Sequence, residues 1–172
     1  MANRTIHSKY LFQNVKFPTG YCSPVIIADS LKTPENLGNI IRLADNVGAK
    51  KVLFVQVNES IRTSKIKKTA SSSYNSVDWE FCEITDFLEK IPKDYELVAI
   101  ETTSDSDNLY KTKLPSKVAF VVGNEITGIS DEILEQCRKI VHIPVLGKNT
   151  SLNVSHALAL ALFEWQRSAL AY

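Results

Sequence analysis

Short apolar runs alternate along the chain with amphipathic segments, a rhythm typical of an α/β domain. Strands that are covered on both faces of a parallel sheet appear as nearly continuous apolar runs. Such runs predict strands at residues 24–29, 51–57, 97–101, 118–122 and 140–143, and a less regular run indicates another at 77–84. Amphipathic periodicity predicts helices at residues 35–47, 86–91, 131–137 and 152–171. The pattern therefore indicates an α/β fold with a mainly parallel sheet and helices on both faces.

Length and composition fit a single globular domain. The chain has 172 residues, of which 44% are hydrophobic and 23% are charged, so it can bury a core without a disulfide or a metal. This balance excludes a disordered, collagenous or extended coiled-coil chain. Residues 1–22 are polar and aromatic without clear periodicity, and we expect an N-terminal arm there and one domain over residues 23–172.

Net charge, cysteine spacing and hydropathy indicate where the protein is located and which partners it can bind. The formal net charge is only +1, so a nucleic-acid partner would have to be bound by a local basic patch. Cys22, Cys82 and Cys137 are far apart and odd in number, which favours unpaired thiols over a disulfide framework or a zinc site. The chain opens on polar residues, and its most apolar stretch is too short for a membrane span. We expect a soluble, cytoplasmic protein that binds no metal and no membrane.

The predicted helix at residues 35–47 carries a polar side of its own. Gly48 suits the C-terminal cap of this helix. Apolar residues at helical spacing would bury one side: Leu37, Ile40, Ile41, Ala44 and Val47. Asn39, Arg42 and Asn46 share a different side, where the ordinary interpretation is a solvated charge and the alternative is a polar recognition surface.

Two further polar segments follow predicted strands. The loop Gly123-Asn124-Glu125-Ile126-Thr127-Gly128 lies where ligands bind in open α/β sheets, although a simple turn also explains it. Glu125 would either cap the next helix or belong to a site. A second segment places Asn149, Ser151, Asn153 and Ser155 just before an apolar helix. Thr150 or Ser151 could simply be the N-cap of that helix, but such polar density also suits a ligand.

The final predicted helix is apolar around most of its circumference, with Val154, Leu158, Leu160, Leu162, Phe163 and Trp165. One sheet cannot cover all of these side chains. The helix is therefore either buried inside the domain or packed against a second copy of the chain, and we favour the second arrangement.

Three sets of residues, in chain order, resemble the signature motifs of the SpoU/TrmH family of RNA 2′-O-ribose methyltransferases. They are Asn36-x-x-x-Ile40-x-Arg42 with Gly48, then Val122-Gly123-Asn124-Glu125-x-x-Gly128, then Ile143-Pro144-x-x-Gly147 continuing through Ser151-Leu152-Asn153. The resemblance covers residues 24–167. It departs from the common pattern at Ser71-Ser72-Ser73, where many members carry a Gly-Ala pair, and at Val145, which replaces a frequent methionine.

The resemblance implies an S-adenosylmethionine-dependent enzyme of the SPOUT class that methylates a ribose 2′-hydroxyl in tRNA or rRNA. It also implies a homodimer and a C-terminal trefoil knot, which general topology rules would argue against. The implied cofactor-binding residues are Thr102, Gly123, Ile143 and Leu152. The implied catalytic residues are Arg42, Asn36, Glu125, Ser151 and Asn153.

In this scheme the partner subunit supplies the arginine at position 42. A charged guanidinium can bind a phosphate and stabilise the developing alkoxide, which costs less free energy than losing its proton to act as a general base. We therefore expect the base to be a phosphate oxygen or a water molecule. Asn36, Ser151 and Asn153 would orient the ribose and brace the arginine, and Glu125 would support the loop.

RNA affinity would come from a local group of basic residues. Arg62, Lys65, Lys67 and Lys68 are the candidates, and a solvated loop is the alternative. Two other functions stay open: a non-catalytic RNA-binding or cofactor-sensing module that keeps the fold, and a flavodoxin-like binder of a small ligand. The polar set around Ser151, together with Arg42 and Glu125, favours the enzyme.

Overall fold

A computed structural model describes residues 19–57 and 61–170 of the chain. Most of the arm expected at residues 1–22 lies outside this described part. The three cysteines are unpaired and partly exposed. Among the described helices, none is long and apolar enough to cross a membrane.

A single parallel sheet forms the centre of the described protein. Its strands are β1 (Val25–Asp29), β2 (Lys51–Val55), β3 (Trp79–Cys82), β4 (Glu96–Ile100), β5 (Asp107–Asn108), β6 (Val118–Val122) and β7 (Lys139–His142). The spatial order is β3-β2-β1-β6-β4-β7-β5, and every neighbouring pair is parallel. The predicted parallel sheet is confirmed, and the carboxyl ends of its strands share one edge.

The predicted strands match the observed ones closely. Each predicted boundary lies within two residues of the observed boundary, and the irregular run at 77–84 becomes β3 at one edge of the sheet. Strand β5 was not predicted, because it has only two residues and both are polar. Its position at the opposite edge is set by pairing with β7, which no local pattern indicates.

The helices are α1 (Pro34–Asn46), α2 (Thr63–Ala70), α3 (Ser73–Ser76), α4 (Asp131–Leu134) and α5 (Val154–Leu170), with 3-10 turns at Phe87–Lys90 and Leu109–Lys111. The helix predicted at 86–91 is thus a 3-10 turn, and the helix predicted at 131–137 is shorter than expected. Helix α2 was not predicted, since only Ile66 and Ala70 of its residues are buried and they give too little periodicity. The basic segment is therefore largely helical, and the loop interpretation of it is wrong.

Both faces of the sheet are covered. Alternate residues of a strand point to opposite sides, so both sets can be buried only if each side has a cover. Ile26 and Ala28 pack on the side of α1, α2 and α5. Val25 and Ile27 pack on the side of α4 and the 3-10 turn at Phe87–Lys90. The predicted helices on both faces are confirmed, and this burial explains the continuous apolar runs.

Helix α1 ends in a Schellman motif. Gly48 has a φ of +58°, as this motif requires of the residue after the C-cap. Its N–H donates to the Asp45 carbonyl (3.1 Å), and the Ala49 N–H donates to the Ala44 carbonyl (2.8 Å). The expected glycine cap is confirmed.

The serine run that departs from the family pattern follows α2. Ser71 has a φ of +56°, a backbone conformation that glycine adopts without strain. Ser73 is buried, and its hydroxyl donates to Asp45 Oδ2 (2.7 Å). The run therefore ties α3 to α1 by a side-chain hydrogen bond that a Gly-Ala pair could not make.

Helices α1 and α2 approach each other closely at Gly38. A Cβ atom added there would lie 2.5 Å from Thr69 Cβ and 2.9 Å from the Ile66 carbonyl oxygen. Gly38 thus sets the spacing between the helix that carries Asn36 and the helix that carries the basic residues.

We expect Gly38→Ala to destabilise the protein, although Ala normally favours a helix interior over Gly by ~1 kcal/mol. The added methyl group overpacks the contact between the two helices, and the net loss in the free energy of unfolding should be roughly 1–2 kcal/mol. Urea unfolding measures this change. Gly147→Ala is the control, because the nearest atom to its added Cβ is 3.9 Å away. A stabilised Gly38→Ala variant would contradict the close packing.

Candidate active site

A cavity of about 590 Å³ opens at the carboxyl edge of the sheet. Its walls come from the segments that follow β4, β6 and β7 and from the start of α5. The volume lies in the usual range for small-molecule sites, and ligands of open α/β sheets bind at this edge. The lining includes Thr102, Gly123, Glu125, Ile143, Ser151, Leu152 and Asn153, all of which the sequence had singled out.

Three of the predicted residues form a chain of hydrogen bonds at this edge. Asn153 Nδ2 donates to Asn36 Oδ1 (3.1 Å), and Asn36 Nδ2 donates to Glu125 Oε1 (2.7 Å). Asn36 is only 5% exposed, so its amide depends on these two partners in place of water. The contacts join α1, the loop after β6 and the segment before α5, and so bring the three motif segments together.

Glu125 is held as an anion by its donors. Partial burial acts to raise the pKa of Glu125, but the hydrogen bonds from Asn36, from the backbone and from Thr33 outweigh burial and lower it. A general base at neutral pH works best when its pKa lies near 7. Glu125 therefore suits the supporting role that the sequence assigned to it.

Asn124 folds the loop after β6 into a compact turn. Its Oδ1 accepts hydrogen bonds from the backbone amides of Ile126 (2.9 Å) and Thr127 (3.2 Å). Its Nδ2 donates to the Ser30 carbonyl (2.6 Å), which ties the loop to the end of β1. A Cβ atom on Gly123 would lie 2.2 Å from the Gly128 backbone, so the loop can close this tightly only with glycine at 123.

Two carboxylates near strand ends were not singled out from the sequence. Asp29 is fully buried and accepts a hydrogen bond from the Ser130 amide (2.7 Å). Asp29, and not Glu125, therefore binds the start of the next helix, and the capping alternative for Glu125 is wrong. Glu101 accepts hydrogen bonds from the amides of Thr102 (2.8 Å) and Ile129 (3.2 Å). Their only signal in the sequence is an acidic residue that ends an apolar run.

Helix α5 begins at an asparagine cap. Asn153 Oδ1 accepts hydrogen bonds from the Ser155 amide (3.0 Å) and the Ser155 hydroxyl (2.7 Å). Asn153 is therefore the N-cap, and the expectation of Thr150 or Ser151 is wrong. The Ser151 hydroxyl instead donates to Asn149 Oδ1 (3.2 Å) within the preceding loop. One amide thus starts the helix with its oxygen and holds the motif segments together with its nitrogen.

The residues expected to bind the cofactor all line the cavity and come from three connections, with Ile143 and Leu152 at opposite ends of the one between β7 and α5. Thr102 follows β4, Gly123 follows β6, Ile143 follows β7 and Leu152 precedes α5. The distribution means that the cavity exists only where these segments meet.

The ionisable side chains that line the cavity are Glu101, Glu125 and His142, and no Lys or Arg joins them in the described part of the chain. Two carboxylates without a fixed cation fit a positively charged ligand better than a phosphate-bearing nucleotide. S-adenosylmethionine carries such a charge on its sulfonium, so the residues present fit this cofactor. Within residues 19–57 and 61–170, no group of three or more potential ligands could hold a metal ion.

Arg42 does not reach the cavity of its own chain. Its side chain is exposed on α1, is absent from the cavity lining and has no ion pair or hydrogen bond within the described residues. Arg42 lies six positions after Asn36, or roughly 9 Å along the helix axis and on another side of it. Arg42 is therefore not part of the cavity that its own chain forms.

The four basic candidates lie together and are all exposed: Arg62, Lys65, Lys67 and Lys68. We refer to them as the α2 basic patch. Lys65 Nζ is 3.4 Å from the Glu35 carboxylate, and Lys67 Nζ is 5.8 Å from the centre of the Tyr74 ring. Glu35 directly precedes Asn36, so the patch adjoins the hydrogen-bonded chain.

The profile of the SpoU rRNA methylase family matches residues 23–163. The chain is 31% identical over 165 residues to the 23S rRNA (guanosine-2'-O-)-methyltransferase RlmB of Blochmanniella floridana, covering 94% of this chain and 64% of that protein. It is 32% identical over 148 residues to the tRNA (guanosine(18)-2'-O)-methyltransferase of Aquifex aeolicus, covering 83% of this chain and 68% of that protein.

A solved structure shows the same fold. The crystal structure of an AdoMet-bound rRNA methyltransferase from Sinorhizobium meliloti superposes with a TM-score of 0.77 at 26% identity, covering 85% of this chain and 56% of that chain. The present chain thus spans less than two thirds of the S. meliloti protein and of the B. floridana relative.

We expect Asn36→Asp to destabilise the protein at neutral pH. The substitution places a second carboxylate where the amide now donates to Glu125 at 2.7 Å, and like charges so close raise the pKa of the pair. The free energy of unfolding should fall by roughly 2 kcal/mol near pH 7, and part of it should return as the pH is lowered and the pair takes up a proton.

The wild-type protein should show the opposite trend with pH. Since the pKa of Glu125 is lowered in the folded state, its contribution to stability is present above its unfolded pKa and is lost as the pH falls through its folded pKa. Urea unfolding over a range of pH measures both trends. Asn39→Asp, with the same charge change on the same helix, is the control. A pH-independent loss in Asn36→Asp would contradict the contact with Glu125.

Proposed function

We propose that this chain, which belongs to the SpoU rRNA methylase family, transfers a methyl group from S-adenosylmethionine to a ribose 2′-hydroxyl of RNA. The observation that carries the proposal is the hydrogen-bonded chain from Asn153 through Asn36 to Glu125. It brings the three motif segments to the edge of a cavity whose carboxylates suit a cationic ligand. The relatives named as rRNA and tRNA 2'-O-methyltransferases support the same reaction.

The reaction asks little covalent chemistry of the protein. S-adenosylmethionine supplies an activated methyl group when bound, because breaking the bond from the methyl carbon to the sulfonium sulfur releases a neutral thioether, which is a good leaving group. The chain's own residues have to hold the ribose hydroxyl in line and to manage its proton. Asn153 and Ser151 lie at the cavity wall with amide and hydroxyl groups that can orient a ribose, and Asn36 fixes Asn153 from behind.

Arg42 stabilises charge in this proposal and does not act as the base. Holding a guanidinium neutral at pH 7 costs ~7 kcal/mol or more, whereas a charged guanidinium can grip a phosphate and stabilise a developing alkoxide. A phosphate oxygen or a water molecule then takes the proton. Glu125 stays ionised and braces Asn36.

The site is completed by a homodimer. Arg42 is exposed and does not line its own cavity, and in this proposal a second copy presents it. Helix α5 buries Leu158, Leu162 and Trp165 against its own chain but leaves Leu160 and Phe163 exposed, at 43% and 48%. These side chains and the exposed side of α1 supply an apolar and a charged surface for the second copy.

The C-terminal trefoil knot is part of the proposal. Strand β7 lies between β4 and β5, although it comes later in the chain than both. After β7 the chain returns to form α5, which packs near β4 and β6, and Trp165 Nε1 donates to the Pro115 carbonyl (2.9 Å). A trefoil knot requires the C-terminal segment to thread through the connection between β4 and β6, and the contact of Trp165 with this connection supports the proposal.

RNA binds through the α2 basic patch in this proposal, and the substrate is tRNA or rRNA. The patch lies on the helix that packs against α1 and is joined to it by the contact between Lys65 and Glu35. Phosphate contacts of this kind position a substrate without reading its sequence. The proposed place of action is the cytoplasm, where both RNA classes occur in bacteria.

We expect Arg42→Ala to lower methyl transfer by ~100-fold or more while leaving cofactor affinity nearly unchanged, since the arginine lies outside the cavity lining. Transfer is measured with labelled S-adenosylmethionine and unmodified tRNA or rRNA, followed by mapping of the modified ribose. Calorimetry gives the affinity. Loss of cofactor binding in Arg42→Ala would contradict the assigned position, and cofactor binding by the wild type without transfer to either RNA would favour a non-catalytic module.

Mixing two inactive variants tests whether the arginine acts on the partner subunit. Leu152→Arg places a bulky cation in the cavity of its own chain, where it repels a positively charged ligand, and Leu152 is 42% exposed, so the core keeps its packing. A mixed dimer of Leu152→Arg with Arg42→Ala keeps one complete site, so an equal mixture should regain about a quarter of wild-type activity. A mixture as inactive as its components would contradict supply of Arg42 by the partner.

We expect replacement of Lys65, Lys67 and Lys68 by Ala to weaken RNA binding and to flatten its dependence on salt. Each lost phosphate contact lowers the slope of log K against log salt by about 0.9, so the slope should fall by two to three. Filter binding over a range of salt concentrations measures the slope. The control replaces Lys93, Lys111 and Lys113, three exposed lysines that lie outside α2. An unchanged slope in the α2 variant would contradict the role of the patch.

A further inference from the structure

The charge of the cavity wall is one-sided. Glu101 and Glu125 contribute carboxylates, and no lysine or arginine lines the cavity in the described part of the chain. Lys148 lies in the loop between β7 and α5, but its exposed side chain is outside the lining. Glu125 is already bound to Asn36, whereas the partners of Glu101 among the described residues are backbone amides.

Backbone hydrogen bonds hold the Glu101 carboxylate in a fixed position. One oxygen accepts from the Thr102 amide (2.8 Å), in the segment after β4. The other accepts from the Ile129 amide (3.2 Å), directly after the Gly123–Gly128 loop. The carboxylate therefore bridges two walls of the cavity, and its charge cannot move away from a bound ligand without breaking these contacts. A charge fixed in this way acts at the same place in every step of a reaction cycle.

We propose that Glu101 makes the cavity select positively charged S-adenosylmethionine over S-adenosylhomocysteine, the product that remains after methyl transfer. This inference rests on the proposed function. The two molecules differ by one methyl group and by the positive charge on sulfur, so a fixed carboxylate attracts the first more strongly than the second. Glu101 is in this sense a specificity-determining residue for the cofactor and not a catalytic residue.

The size of the effect follows from Coulomb attraction across a partly hydrated cavity. Between unit charges several ångströms apart, and at a dielectric constant between those of protein and water, the attraction changes affinity by roughly three- to tenfold. Transfer of the methyl group removes the charge on sulfur, so the attraction disappears at the moment when the product has to leave. Glu101 thus favours exchange of spent for fresh cofactor.

Calorimetry on the full chain tests the proposal without any methyl transfer. The dissociation constants of S-adenosylmethionine and S-adenosylhomocysteine are measured at pH 8, where histidine side chains are normally neutral, for wild type and for Glu101→Gln. The dissociation constant of S-adenosylhomocysteine divided by that of S-adenosylmethionine measures the preference for the charged ligand. We expect this ratio to fall by roughly three- to tenfold in Glu101→Gln. The control is Glu132→Gln, which removes the same charge from an exposed residue of α4 outside the cavity, and its ratio should match the wild type.

A second variant separates charge from loop geometry. Glu101→Asp keeps the charge but shortens the side chain, so both ligands should bind more weakly while their ratio stays close to the wild-type value. Equal weakening of both ligands in Glu101→Gln would overturn the proposal and leave Glu101 only a loop brace. If wild type bound neither ligand, the proposed function itself would fail, whereas binding of both with a ratio insensitive to Glu101→Gln would overturn only this inference. If Glu101→Gln did not fold, Glu101→Asp alone would test the proposal. Equal dissociation constants for the two ligands in Glu101→Asp would then overturn it.

Discussion

The structure depends on one buried amide that has to be satisfied from two sides. Asn36 accepts from Asn153, 117 positions away in the chain, and donates to Glu125, 89 positions away. A buried polar group that loses its partner costs ~1–3 kcal/mol, so neither remote segment can leave without a penalty. The amide thus links the correct assembly of α1, the loop after β6 and the start of α5 to the stability of the protein. The same contacts that position the proposed reaction centre also hold the fold together.

Carboxylate and amide side chains near Asn36 accept hydrogen bonds from loop backbone amides. Asp29, Asn124 and Glu101 each accept backbone N–H groups from the loops at the carboxyl edge of the sheet. These loops would otherwise leave polar backbone atoms unpaired near the core. Because the acceptors come from the ends of β1, β4 and β6, the shape of the cavity is set by the sheet. The loops are therefore organised before any ligand arrives, and little binding energy is spent on ordering them.

The sequence predicted most of this sheet because burial on both faces leaves a strong local mark, as in the run from Val118 to Val122. It also identified Asn36, Glu125 and Asn153, through their place in motifs. It missed α2, whose two buried residues give almost no periodicity. Glu101 and Asp29 were not identified, because a single acidic residue at the end of a strand gives the same sequence pattern whether it is solvated or accepts hydrogen bonds from a distant loop. The proposed role of Arg42 in a second subunit came only from the family resemblance, since no pattern within a sequence states which surface meets a second molecule.

The placement of β7 has a consequence for biosynthesis. This strand sits between β4 and β5, which are both made earlier, and the segment after it closes the cavity as far as Ala157. While a ribosome is still making the middle of the chain, the pocket has no back wall and the amide of Asn36 has no donor. A nascent chain therefore gains no stability from a ligand in this cavity until α5 has emerged from the ribosome. Only a chain that has been synthesised through α5 can be stabilised by a ligand that binds in this cavity.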